Sequence, residues 1–308
     1  MDPLVNTPPV KAPVQLYNRQ TGSLENESIM ARQFMDLSYG SRLGRFLTDH
    51  ILTRRCLSGL YGLWQRHPVS RSKIRGFINE FDIDMGEVQV PENGFTCFND
   101  FFIRRLKPDA RPVDREPGLL ISPADGRVKI FDIGKHTRLD IKGSDMRLDE
   151  IVDAGAVTRN FEGGLGVQVR LAPVDYHRFG YIDDGNQGPI HSIDGRLFSV
   201  SPVALRVRPR IWARNYRHWC ELKTRTFGPV LQAEIGAMIV GSIIQHKPAG
   251  GPCKRGEEKG YFALGGSTVL MFFKKGAVRM DPDIARYSVQ GIETLVKYGE
   301  AIGIQGIA

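Results

Sequence analysis

The sequence has no run of about 18 apolar residues, the length that a membrane-spanning helix needs. An integral membrane helix is therefore not expected. The first residues, MDPLVNTPPVKAPVQ, lack a basic start followed by an apolar stretch, so they do not read as a secretory signal. Cysteine is sparse: Cys56, Cys97, Cys220 and Cys253 are the only four in 308 residues. They lie far apart and form no CxxC pair. That argues against a zinc site or a disulfide framework and suits free thiols in a reducing compartment. There is no internal repeat, no low-complexity tract and no glycine fingerprint for a nicotinamide or phosphate cofactor.

What remains is an ordinary globular composition, 41% hydrophobic and 25% charged, long enough for one large domain or two small ones. The net charge of +8 favours anionic partners such as phospholipid headgroups or nucleic acid. Most of that excess sits between Ser41 and Arg75, where Arg42, Arg45, Arg54, Arg55, Arg66, Arg71, Lys73 and Arg75 face Asp49 alone. Apolar residues recur there at helical spacing, and Leu43, Phe46, Leu57, Leu60, Tyr61 and Trp64 share one face. A basic amphipathic stretch with Trp and Tyr on its apolar side suits an anionic membrane surface. A helix packed on the protein's own core explains it about as well. No recognised nucleic-acid-binding motif accompanies it, so nucleic acid is not expected as a partner.

The texture changes along the chain. Residues 1–27 read as a loose, proline-containing arm and residues 28–80 as helical. From about residue 118, alternation in Val167, Val169, Leu171 and the continuous run STVLMFF point to strands. The expected class is α+β: basic amphipathic helices at the N-terminus, then a β-rich catalytic core in a domain over 81–308.

Four segments carry candidate chemistry. Gly265-Gly266-Ser267-Thr268 lies between a turn and an apolar strand. A serine after glycine can attack the preceding carbonyl where the backbone is bent and a base is near. By itself the tetrad equally suits a plain turn. SPADGR places Asp125 in a turn, LAPVDYHR places His177 after a strand, and IGAMIVGS is a glycine-punctuated apolar run. Asp125, His177 and Ser267 could converge as a charge-relay set. Each also has a structural reading.

Together these segments, with FNDFFIRRLKPDARPVD, IKG, the FSV turn at 198–200, Asn215 and GEEKGYF, resemble the phosphatidylserine decarboxylase family over about residues 70–303. The resemblance implies a precursor that cuts itself between Gly266 and Ser267. It implies a large chain 1–266, a small chain 267–308, and a covalent pyruvoyl cofactor made from Ser267. That group would form a Schiff base with the substrate's serine amine, and no metal is implied. Phosphatidylserine, an anionic membrane, a peripheral position on the cytoplasmic face and room for a homo-oligomer follow from the same likeness. The family motif reads Tyr-His-Arg-any-His, whereas this chain has Gly180 at the last position. In the family that second histidine joins the Asp and Ser in self-cleavage. Three outcomes are therefore open: His177 serves both steps, another histidine such as His191 substitutes, or the chain is an unprocessed lipid-binding relative. The same chemistry on a soluble amino acid is the other alternative.

Overall fold

The computed structural model describes residues 13–30, 32–53, 55–139, 141, 146–207, 210–238 and 242–306. Residues 1–12 of the expected arm, Arg54, most of the IKG segment and residues 239–241 of the IGAMIVGS run lie outside the described residues, as do the side chains of Cys56 and Leu57.

The N-terminal stretch differs from expectation where it is described. Gln15–Asn18 (β1) and Ser23–Asn26 (β2) form an antiparallel hairpin rather than a loose arm. Val14 and Leu16 are buried, and Arg19 reaches Asp281, Asp283 and Glu300 at 2.6, 2.7 and 2.9 Å. One cation shared by three carboxylates, together with that burial, offsets the ordering entropy of a polar segment.

Within residues 28–80 the described helices begin at Arg32, and Ser28–Met30 are not helical. Arg32–Gly40 (α1), Arg42–Leu47 (α2), Arg55–Arg66 (α3) and Lys73–Phe81 (α4) follow one another, with a π-turn at Thr48–Leu52. The Ser41 hydroxyl caps α2 by accepting from Gly44 N at 2.8 Å. Met35, Tyr39, Ile74 and Phe77 turn inward. Leu37, Leu43, Phe46, Leu60, Leu63 and Trp64 do not, and each is 46–69% exposed. Phe98–Phe102 (α5) then packs on α4 through Phe77 and Phe101, whose rings meet edge to face. Among the described residues no helix is long and apolar enough to cross a membrane.

The rest is β-rich. The strands that place the site are Gly126–Asp132 (β3), Leu165–Leu171 (β4), Arg178–Gly180 (β5), Gly185–Gln187 (β6), His191–Ile193 (β7), Arg217–Thr224 (β8), Gly228–Gly236 (β9), Ser242–Gln245 (β10), Gly251–Cys253 (β11), Glu258–Ala263 (β12), Ser267–Phe273 (β13) and Glu293–Val296 (β14). Among the described residues the main sheet has eleven strands in the order β11-β6-β8-β9-β13-β4-β3-β14-β1-β2, with β7 also paired to β8, and only the β1–β14 pairing in it is parallel. β5, β12 and β10 form a smaller sheet.

β13 lies at the centre, and apolar clusters cover both of its faces. Val269, Met271 and Phe273 enter one cluster with Phe179 and Phe262 of the small sheet. Leu270 and Phe272 enter the other with Met35 and Tyr39 of α1. All seven residues of β13 are buried, which is why this strand reads as a continuous apolar run rather than an alternating one. Cys97, Cys220 and Cys253 are buried free thiols, as the spacing suggested.

Candidate active site

Ser267 opens β13 and is completely buried. Its backbone is fixed on both sides, pairing with Gly236 of β9 and Leu171 of β4. The chain enters this strand through a left-handed turn, with φ of +71° at Leu264 and +91° at Gly265. Gly265 adopts that conformation freely. At Leu264 it costs about 1–2 kcal/mol, which burial of the side chain, worth about 1.5–3 kcal/mol, offsets. The bent backbone expected at the tetrad is therefore present, one and two residues upstream of Gly266.

His177 lies between β4 and β5, completely buried. Its Nδ1 is 3.5 Å from the Ser267 hydroxyl, long for a hydrogen bond but within reach of one. Its Nε2 is 3.0 Å from the Ala172 carbonyl oxygen. A carbonyl only accepts, so Nε2 carries the proton and Nδ1 turns its lone pair to Ser267. The Phe102 ring stacks on the imidazole at 4.1 Å between centroids. Burial, and then the charge of Arg104, push the ring's pKa down to about 3, against the pull of the Ala172 and Pro173 carbonyls. His177 is a neutral base facing a serine.

Asp125 is placed differently. Its carboxylate accepts from Arg111 Nε and Nη2 at 2.8 and 2.7 Å, and from the backbone N–H of Tyr298 at 2.8 Å. Both ring nitrogens of His177 are engaged elsewhere, and no hydrogen bond joins Asp125 to His177 or Ser267 among the described residues. Asp125 instead lines a mixed-charge cleft of about 310 Å³ with Glu87, Arg104, Arg111 and Tyr176.

Gly180 does not have a left-handed backbone. A Cβ built there would lie 1.9 Å from the Tyr298 hydroxyl and 2.8 Å from the Glu257 carbonyl oxygen. The Tyr298 ring therefore occupies the space a histidine at 180 would need. His191 is exposed, stacks on Trp219 at 4.4 Å, and is separated from β13 by β8 and β9. It is not beside Ser267.

Asn215 ties the site's surroundings together. Its amide accepts from Phe198 N at 2.9 Å and donates to Phe198 O and Gly236 O, both at 2.8 Å, so it clamps the FSV turn to the strand end that pairs with Ser267. Between that turn and α1 lies a cavity of about 110 Å³, lined by Phe34, Met35, Pro173, Val200, Met238 and Gly266. Sequence reasoning missed Phe102, Arg104, the Ala172 carbonyl and Asp175. The first two fall in the quoted FNDFFIRR segment and the last two in LAPVDYHR, but nothing in a sequence shows that these two segments touch. Among the described residues no cluster of His, Cys, Asp or Glu could hold a metal.

The sequence profile of the family described as phosphatidylserine decarboxylase matches residues 98–304. Curated relatives carrying the name phosphatidylserine decarboxylase proenzyme include one from Clostridium beijerinckii, 40% identical over 291 residues, covering 94% of this chain and 98% of the relative. One from Clostridium perfringens is 39% identical over 291 residues, with 94% and 99% covered. One from Desulfitobacterium hafniense is 37% identical over 293 residues, with 95% and 98% covered. The profile spans the turn, the histidine and the serine whose geometry is described above, and the relatives match nearly end to end: the chain belongs to the phosphatidylserine decarboxylase family.

Proposed function

We propose that the chain decarboxylates phosphatidylserine to phosphatidylethanolamine, using a pyruvoyl group that it makes by cutting itself between Gly266 and Ser267. The observation that carries this reading is the Ser267 hydroxyl set 3.5 Å from the unprotonated Nδ1 of His177, directly after a left-handed turn. His177 takes the hydroxyl proton, and Ser267 Oγ attacks the Gly266 carbonyl. The peptide nitrogen leaves, giving an ester. Loss of the Ser267 α-proton then expels Gly266 as a free carboxylate and leaves dehydroalanine. Its imine tautomer takes up water and releases ammonia, which leaves the pyruvoyl group at residue 267.

The site suits such a group: residue 267 is buried, and a cavity on the side of α1 is lined by Gly266 next to it. The pyruvoyl carbonyl supplies the electron sink for loss of CO₂. In this reading His177, facing the same atoms, takes up a proton that the substrate's ammonium must shed and returns it to the carbon that CO₂ has left. Asp125 takes part in this reading by binding Tyr298 of the small chain to Arg111 of the large one. The exposed apolar side chains of α1–α3, set among Arg42, Arg45, Arg66 and Arg71, favour a lipid substrate over a soluble amino acid. They suit a peripheral position on an anionic leaflet, and we place it on the cytoplasmic face.

The test is the intact mass of the purified chain. Two fragments are expected, the smaller spanning residues 267–308 and blocked to Edman sequencing because pyruvoyl has no amine. Ser267→Ala should leave a single uncut chain. Two fragments from Ser267→Ala would sink the assignment. A wild-type chain that stays whole would favour an unprocessed lipid-binding relative, the reading that Gly180 and the long Ser267–His177 contact support.

A further inference from the structure

Serine nucleophiles that rely on a histidine usually have a carboxylate to hold the ring. Here the expected carboxylate, Asp125, is held by Arg111, and His177 Nε2 bonds to a backbone carbonyl instead. That carbonyl belongs to a turn of four residues, Ala172 to Asp175. The Asp175 N–H donates to Ala172 O at 3.0 Å, and the Asp175 carboxylate accepts from Ala172 N at 2.6 Å. Ala172 O thus receives both the turn's own hydrogen bond and the imidazole. The turn is also held from outside, by Arg104 Nη2 donating to Val174 O at 3.1 Å. The Asp175 carboxylate forms an ion pair with Arg127 Nη1, and Arg127 Nε lies 2.8 Å from Glu27 Oε1.

We infer that Asp175 is the positioning residue for His177: it closes the turn whose carbonyl sets the tautomer and the aim of the ring. This rests on the self-cleavage reading above and adds to it the group that holds the base. Asp175 does not touch the reacting atoms. It acts by keeping Ala172 O in line with Nε2. Without the carboxylate, the Ala172 N–H loses its partner and the turn loses one of its two closing bonds. The imidazole can then rotate or move its proton to Nδ1, and a protonated Nδ1 cannot accept from Ser267.

The experiment compares Asp175→Ala with Asp175→Asn as purified precursors, following cleavage by intact mass. Both lose the charge facing Arg127, so that stability loss is common to the pair. Only asparagine keeps an oxygen that can accept from Ala172 N. Asp175→Ala is expected to slow cleavage by about 100-fold or more, the scale of a misplacement near 1 Å. Asp175→Asn is expected to stay within about tenfold of wild type, because the bond that closes the turn survives and loses only its charged character. Equal rates for the two variants, fast or slow, would overturn the inference. His177→Ala cutting at the wild-type rate would overturn both the inference and the role given to His177. Should Asp175→Ala fail to fold, the ¹⁵N shifts of His177 in the uncut Ser267→Ala precursor decide. A neutral ring protonated on Nε2 is expected, and one protonated on Nδ1 would overturn the inference.

Discussion

His177 is set apart from an ordinary histidine by what surrounds it. Its neighbours from other elements are the Phe102 ring, the cations Arg104 and Arg127, and Ser267, while Asp175 meets it only through the Ala172 turn. Burial and the Arg104 charge hold its pKa near 3, so Nδ1 stays free to accept a proton throughout the physiological range. The cleavage rate is therefore expected to be level between about pH 5 and 8, with no step at the usual imidazole value of about 6.5. Timed mass spectra across that range test this. A fall centred near the usual value would mean that the ring is not held neutral. The same depression makes folding pH-dependent. As pH falls, the unfolded chain protonates this histidine first, so its contribution is intact above about 6.5 and is lost between there and about 3. In that window the Ser267→Ala precursor should lose melting temperature more steeply than a Ser267→Ala/His177→Phe protein.

Helices α1 to α3 illustrate how far an element can be read from its residues. The 3.6-residue spacing located them, because an amphipathic stripe survives in sequence whatever it faces. It could not say what the stripe faced, and self-packing was as good an account. In the structure Leu43, Phe46, Leu60 and Trp64 of that stripe remain in solvent beside Arg42 and Arg66, while Met35 and Tyr39 of α1 go to the core. Vesicle binding should thus rise with the fraction of anionic lipid and fall with salt, at roughly 1 kcal/mol for each basic residue at the surface. Replacing Leu43, Phe46 and Leu60 by serine should abolish it and leave self-cleavage unchanged. Equal binding to neutral and anionic vesicles at low salt would count against this surface. β13 was legible for the opposite reason, since a strand covered on both faces is apolar throughout. The β1–β2 hairpin was not legible: its stability comes from Asp281, Asp283 and Glu300, more than 260 residues away along the chain. Asp125 shows the same limit. Its turn was recognisable, but its partner Arg111 was chosen by the fold.

Across the whole molecule, the proposed cut at Gly266 separates the chain without separating the sheet. The small chain contributes β13 and β14. β13 lies between β9 and β4, and β14 lies between β3 and β1, all four from the large chain. Arg19 adds a third hold, on Asp281, Asp283 and Glu300. Neither small-chain strand of this sheet is an edge strand, so the two pieces cannot part without opening the sheet at its middle. This interleaving changes the molecularity of folding. An uncut precursor finds its native pairings by an intramolecular search, and its refolding rate should not depend on protein concentration. The processed protein, once denatured, must bring two polypeptides together, and one of them has no flanking strands of its own to form this sheet. Its recovery should be second order and poor at low concentration, with the large chain's exposed strand edges free to aggregate. Refolding the processed protein and the Ser267→Ala precursor from urea over a hundredfold range of concentration tests this, and equal, concentration-independent recovery would contradict it. Each molecule would then have one opportunity to assemble, before it cuts itself, and its later lifetime would be set by how slowly it unfolds rather than by the depth of an equilibrium.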